Sequence, residues 1–193
     1  MALKRGILVV VSGPSGVGKG TICQRLMDFY GEQAMLSVSC TTRKIGNAEA
    51  DGQNYWFIDQ QEFEKRIAAN GFIEYADVFG NYYGTPRKPV EDALTAGRIV
   101  LLEIDVQGGL QVKKQYPEAA MIFILPPRAE DLLKRIEGRN RGEDEQSKKR
   151  RLETAMHEMN TARRTYEYFV INDVLERAVE EVKMIIRKVQ ETI

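Results

Sequence analysis

The chain has 193 residues, 43% apolar and 29% charged, and its 28 Lys and Arg balance 28 Asp and Glu. That is enough for one substantial core with appended lobes, and zero net charge removes any global basic field that would draw the protein to nucleic acid or membrane. No apolar run is long enough to cross a bilayer, no cleavable apolar segment opens the chain, and Cys23 and Cys40 lack metal or redox spacing, so a soluble protein of the cytoplasm is expected.

The first element, GILVVVS, has the β-branched run of a strand buried on both faces. It enters GPSGVGKGT, Gly13 to Thr21, and then a helix, TICQRLMDFY, with Ile22, Leu26 and Phe29 at helical spacing. The spacing G-x-x-x-x-G-K is that of a phosphate-cradling loop, whose backbone N–H groups and helix N-terminus converge on one anion while Lys19 adds a mobile cation. Gly20 stands where the pattern usually has a metal-binding Ser or Thr, so the metal must be held elsewhere.

From Ser39 to Thr85 the text turns aromatic and strand-like, as in a small inserted β lobe, with FIEYADVF and YYGT joined through Gly80 and Asn81. SVSCTTRK gathers Ser39, Thr41, Thr42 and Arg43, donors suited to a second phosphate or, equally, to a turn. In FIEYADV, Glu74 shares a face with Phe72, Ala76 and Val78, where a carboxylate is costly unless something donates to it. The N1–H and 2-amino group of a guanine would do so, and so would a nearby arginine.

RIVLLEIDV is a second strand, and Glu103 and Asp105 emerge at its carboxyl end, the edge where open α/β sheets bind ligands. Two carboxylates there suit Mg2+ held through water, or else a solvated strand end and a helix N-cap. AAMIFIL and YFVIN are further strands. Between them, Arg128 to Arg164 is dense in charge and poor in apolar residues, as in a helical arm with a mobile tip, and His157 within it is expected at the surface. The last helix places Leu175, Ala178, Val179, Val182, Ile186 and Val189 on one face, and Asp173 with Glu176 has the spacing of a capping box. The alternation of strands and helices implies an α/β fold, a mostly parallel sheet with helices on both faces.

Seven blocks, GPSGVGKGT, SVSCTTR, EADGQNYWF, GFIEYADVFGNYYGTP, LEIDVQGG, LPPRAEDLLKRIEGR and FVIND, stand in the order and near the spacing of the guanylate kinases. Over nearly its whole length the chain resembles this family of P-loop nucleoside monophosphate kinases, which move the γ-phosphoryl of ATP onto GMP. The resemblance implies a P-loop core over 1–38, 86–127 and 165–193, a GMP-binding lobe over 39–85 and a lid over 128–164. It implies that Gly13, Pro14, Ser15, Gly16, Val17, Gly18, Lys19, Gly20 and Thr21 wrap the ATP phosphates, with Thr21 supplying the hydroxyl that Gly20 lacks. Ser39, Glu74 and Thr85 would read guanine, while Arg43, Tyr55 and Tyr83 would hold the acceptor phosphate. Asp105 would contact GMP and, with Glu103, order Mg2+ through water. Lys19, Arg43, Arg135, Arg139 and Arg151 would be the catalytic cations, with Arg150 the alternative to Arg151.

Gly46 departs from the family, which usually has a second phosphate-binding arginine there; Lys44 is a poor substitute for a fork. A non-catalytic module of the same fold, or a sugar-phosphate kinase, is the alternative reading; the near-complete phosphate loop weighs against the first and Glu74 with the paired tyrosines against the second. The expected substrates are ATP and GMP or dGMP, with monomer and homo-oligomer both left open.

Overall fold

The computed structural model describes residues 6–78, 80–128 and 145–192, with side chains from 153 onward in the last stretch. In chain order the strands and α-helices are β1 (Ile7–Ser12), α1 (Lys19–Tyr30), β2 (Ala34–Leu36), β3 (Cys40–Thr41), β4 (Trp56–Phe57), α2 (Gln60–Ala68), β5 (Phe72–Val78), β6 (Asn81–Pro86), α3 (Arg87–Thr95), β7 (Ile99–Glu103), α4 (Val106–Gln115), β8 (Ala120–Leu125), α5 (Glu145–Thr165), β9 (Tyr168–Ile171) and α6 (Leu175–Thr192).

Five strands make a parallel sheet in the order β2-β7-β1-β8-β9. β1 lies at its centre, and alternation along it divides the core. Val9 and Val11 pack with Ile22 and Leu26 of α1 and Val182 and Ile186 of α6. Leu8 and Val10 pack on the opposite face with Val90 of α3, Val112 of α4 and Ala162 of α5. Helices therefore cover both faces, as the α/β alternation implies.

The second sheet runs β4-β3-β6-β5, with β5 and β6 forming an antiparallel hairpin. Its own small core is Cys40, Phe63 and Phe72, in which Phe63 stacks on Phe72 at 4.5 Å and on Tyr82 at 5.2 Å. The helix that carries Phe63, α2, is not foreseen from sequence; Asp59 caps it by accepting the N–H of Glu62 at 2.7 Å.

Two sequence expectations shift. Asn81 is not a turn residue: it opens β6 opposite Val78, and Gly80 just before it carries the turn with φ of +79°. β2 goes unread, because three residues are too few for a pattern. Asp173 accepts the N–H of its neighbour Val174 at 2.6 Å and pairs with Arg177, in place of the box with Glu176. The tip of the charged arm, with Arg135 and Arg139, lies outside the described residues, as does the side chain of Arg151 and that of Arg150. Among the described residues no helix is long and apolar enough to cross a membrane.

Candidate active site

The loop between β1 and α1 owes its shape to glycines. Gly18 precedes the helix at φ +101°, and a Cβ there would collide with the amide of Asn172. The first turn of α1 has no side-chain cap and no acidic residue, so its N–H groups and dipole are offered to an anion. Lys19 Nζ folds back over the loop, donating to the carbonyls of Gly13 at 2.7 Å and Pro14 at 3.3 Å. Asn172, beyond β9, ties down the other side by donating to the Val17 carbonyl at 2.8 Å. Thr21 is exposed on α1.

Beside this loop, Glu103 ends β7. A Cβ on Gly20 would lie 3.3 and 3.6 Å from its two carboxylate oxygens, so the residue at position 20 and Glu103 face each other. Asp105 is the N-cap of α4, its Oδ1 accepting the Gly108 N–H at 2.8 Å. Between them the backbone is pinned from β1: Ser12 Oγ donates to the Ile104 carbonyl at 2.8 Å and accepts the Tyr166 hydroxyl at 2.7 Å. Hard carboxylate oxygens at this edge fit Mg2+. Among the described residues no group of three or more His, Cys, Asp or Glu is spaced to hold a metal ion.

Glu158 of α5 joins this region and is not foreseen from sequence. Burial raises its pKa to about 7; the charge of Lys19 opposes that rise and Asp105 adds to it, which sets all three side chains in one electrostatic neighbourhood. The available signal is its place between buried Ala155 and Ala162 on one helical face. His157 is exposed, as expected.

Glu74 and Thr85 meet across the β5–β6 hairpin. Glu74 is 5% exposed, and its Oε1 accepts from both the N–H (3.0 Å) and the hydroxyl (2.6 Å) of Thr85. Its donors come from Thr85, not from an arginine. Burial raises the Glu74 pKa to about 7, Thr85 opposing the rise and Asp105 adding to it. Its Oε2 lies against the backbone of Gly108, too close for any Cβ at that position.

Arg43, Tyr55 and Tyr83 are also together. The guanidinium lies 5.6 Å from the centre of the Tyr55 ring and 5.7 Å from that of Phe57, and the Tyr55 and Tyr83 rings meet edge to face at 5.6 Å. The fork of Arg43, expected to hold a phosphate, instead grips Glu49: Nη1 to Oε2 at 2.9 Å and Nη2 to Oε1 at 2.7 Å. Ser39 is half-buried beside this group, and its carbonyl accepts the Trp56 N–H at 2.9 Å.

A sequence model of guanylate kinase matches residues 5–189. The chain belongs to the guanylate kinase family. It is 50% identical to the guanylate kinase of Clostridium acetobutylicum over 183 residues, 95% of this chain and 86% of that one. With the guanylate kinase of Carboxydothermus hydrogenoformans it shares 48% over 185 residues, 95% and 89% of the two chains. Its fold is similar to the crystal structure of guanylate kinase from Anaplasma phagocytophilum, with a TM-score of 0.80 and 34% identity, covering 98% of this chain and 89% of that one. The guanylate kinase family thus accounts for nearly all of the chain, both sheets included.

Proposed function

We propose that the protein transfers the γ-phosphoryl group of ATP to GMP, and also to dGMP, giving ADP and the nucleoside diphosphate. The observation that carries this reading is the buried Glu74 with Thr85, standing across Gly108 and Asp105 from a phosphate loop. A carboxylate there accepts two parallel hydrogen bonds from guanine N1–H and its 2-amino group and rejects adenine, whose N1 presents a lone pair. The Thr85 hydroxyl turns from Oε1 to the base as it binds, freeing the second oxygen. Ser39 completes the base site; Arg43, Tyr55 and Tyr83 hold the acceptor phosphate.

The acceptor is already an anionic oxygen, so no general base is required. The chain has instead to align two anions that repel each other and to supply cations where charge spreads. Residues 13–21 cradle the ATP phosphates, and Lys19 leaves the Gly13 and Pro14 carbonyls for the migrating group. Glu103 and Asp105 would hold Mg2+, which when bound would supply charge neutralisation at the polyphosphate. Residues 1–38, 86–127 and 165–193 act as the core, 39–85 as the GMP lobe and 128–164 as the lid, whose Arg135, Arg139 and Arg151 close on the nucleotides. Closure of lobe and lid excludes water that would otherwise take the phosphoryl group. The site of action is the cytoplasm, where both nucleotides are present. ADP release measured across GMP, dGMP, AMP, UMP and sugar phosphates tests the reading: activity confined to the guanine nucleotides is expected, and no turnover with GMP refutes it.

A further inference from the structure

Arg43 is nearly saturated by the protein itself. Nη1 gives one hydrogen to Glu49 Oε2 and another to the Lys44 carbonyl at 2.9 Å, while Nη2 gives one to Glu49 Oε1. A third donor, the Gly46 N–H, reaches Glu49 Oε2 at 2.8 Å. The Glu49 carboxylate therefore sits in a cradle of a fork and a backbone N–H, which is the donor set that recognises a phosphate.

We infer that Glu49 is an internal stand-in for the acceptor phosphate, displaced when the nucleotide binds, and that it thereby sets the affinity for GMP. The inference rests on the function proposed above and adds the residue that competes with its substrate. The packing of the guanidinium favours displacement of Glu49 over movement of Arg43. The guanidinium is packed against Tyr55 and Phe57, whereas Glu49 lies in a turn closed by its own N–H on the Gly46 carbonyl at 3.1 Å, outside any strand. The pair is part-exposed, 33% for Arg43 and 24% for Glu49, and part-exposed ion pairs are weak enough to exchange. Gly46 leaves room for the carboxylate, since a Cβ there would lie 2.8 Å from Oε2. A phosphate dianion outcompetes the single charge of Glu49; a nucleoside without phosphate has nothing to offer the fork.

Calorimetry of the full chain with GMP and with guanosine tests this. Glu49→Gln weakens the stand-in and should lower the GMP Kd roughly two- to fivefold, the range an ion pair of this exposure allows. Guanosine binding and the KM for ATP should stay unchanged. Gly46→Ala, which keeps Glu49 but crowds it, should shift GMP in the same direction, and it decides the matter if Glu49→Gln fails to fold by circular dichroism. A weaker or unchanged GMP Kd in the folded variant overturns the inference and makes Glu49 an orienting partner of Arg43. A wild-type protein that binds no GMP would instead refute the function proposed above.

Discussion

Replacing Glu74 with glutamine separates what the carboxylate does for the ligand from what it costs the fold. Burial holds its pKa at about 7 against an ordinary 4.5. Between those values the native protein holds a proton that the unfolded chain has released, so this group makes stability fall as pH rises from about 4.5 to about 7. Above pH 7 the full cost of the buried charge is present, about 3 kcal/mol for a shift of this size. Glutamine keeps the shape and an oxygen for both Thr85 donors but carries no charge. At pH 8 and without ligand, Glu74→Gln should therefore be more stable than wild type by about 1–3 kcal/mol, or about 2–12 °C in Tm for a chain of this length. At pH 5 the difference should shrink strongly, because wild-type Glu74 is then mostly protonated. The same substitution should weaken GMP binding by roughly two powers of ten, the loss of a charge-assisted pair facing guanine. Thermal melts at pH 5, 6.5 and 8, with calorimetry for GMP, measure both effects. A Glu74→Gln protein no more stable at pH 8, or stabilised equally at every pH, would refute the reasoning.

Lys19→Met should reduce kcat by several powers of ten with a smaller change in the KM for ATP, as befits a contact strongest in the transition state; near-normal turnover would remove Lys19 from the mechanism. Gly108→Ala, whose Cβ would displace the Glu74 carboxylate, should raise the KM for GMP roughly tenfold, on the scale of a disturbed buried hydrogen bond, and leave that for ATP unchanged. Gly46→Arg should lower the KM for GMP by adding a second fork while crowding Glu49, and a steady-state titration showing no change would count against both effects.

The parts legible in the sequence are those written in a single segment. Strands β1, β7, β8 and β9 announce themselves through apolar runs, and the phosphate loop through its glycines. Glu74 stands out because a charge on an apolar face demands an explanation, and Thr85 turns out to provide its donors. What escapes is written between segments. Asn172 reaches Val17 across 155 positions, and the importance of Gly108 lies in a contact with Glu74 that no local pattern encodes. β2 is held by its register on β7, Ala34 opposite Ile99, and not by its own three residues. Glu49 is only six positions from Arg43, yet its text is an ordinary polar turn; only the bidentate geometry distinguishes it.

The paired glycines at the start of α4 have a mechanical consequence. Gly108 gives its space to Glu74 and Gly109 to the Tyr166 hydroxyl, which bonds Ser12 at the doorway of the phosphate loop. One turn of helix is thus a thin partition with the Glu74 carboxylate pressed on one side and the support of the loop on the other. Two absent methyl groups leave it no slack, so a tilt of that helix is transmitted at once to Glu74 and, through Tyr166, to Ser12 at the entry of the loop.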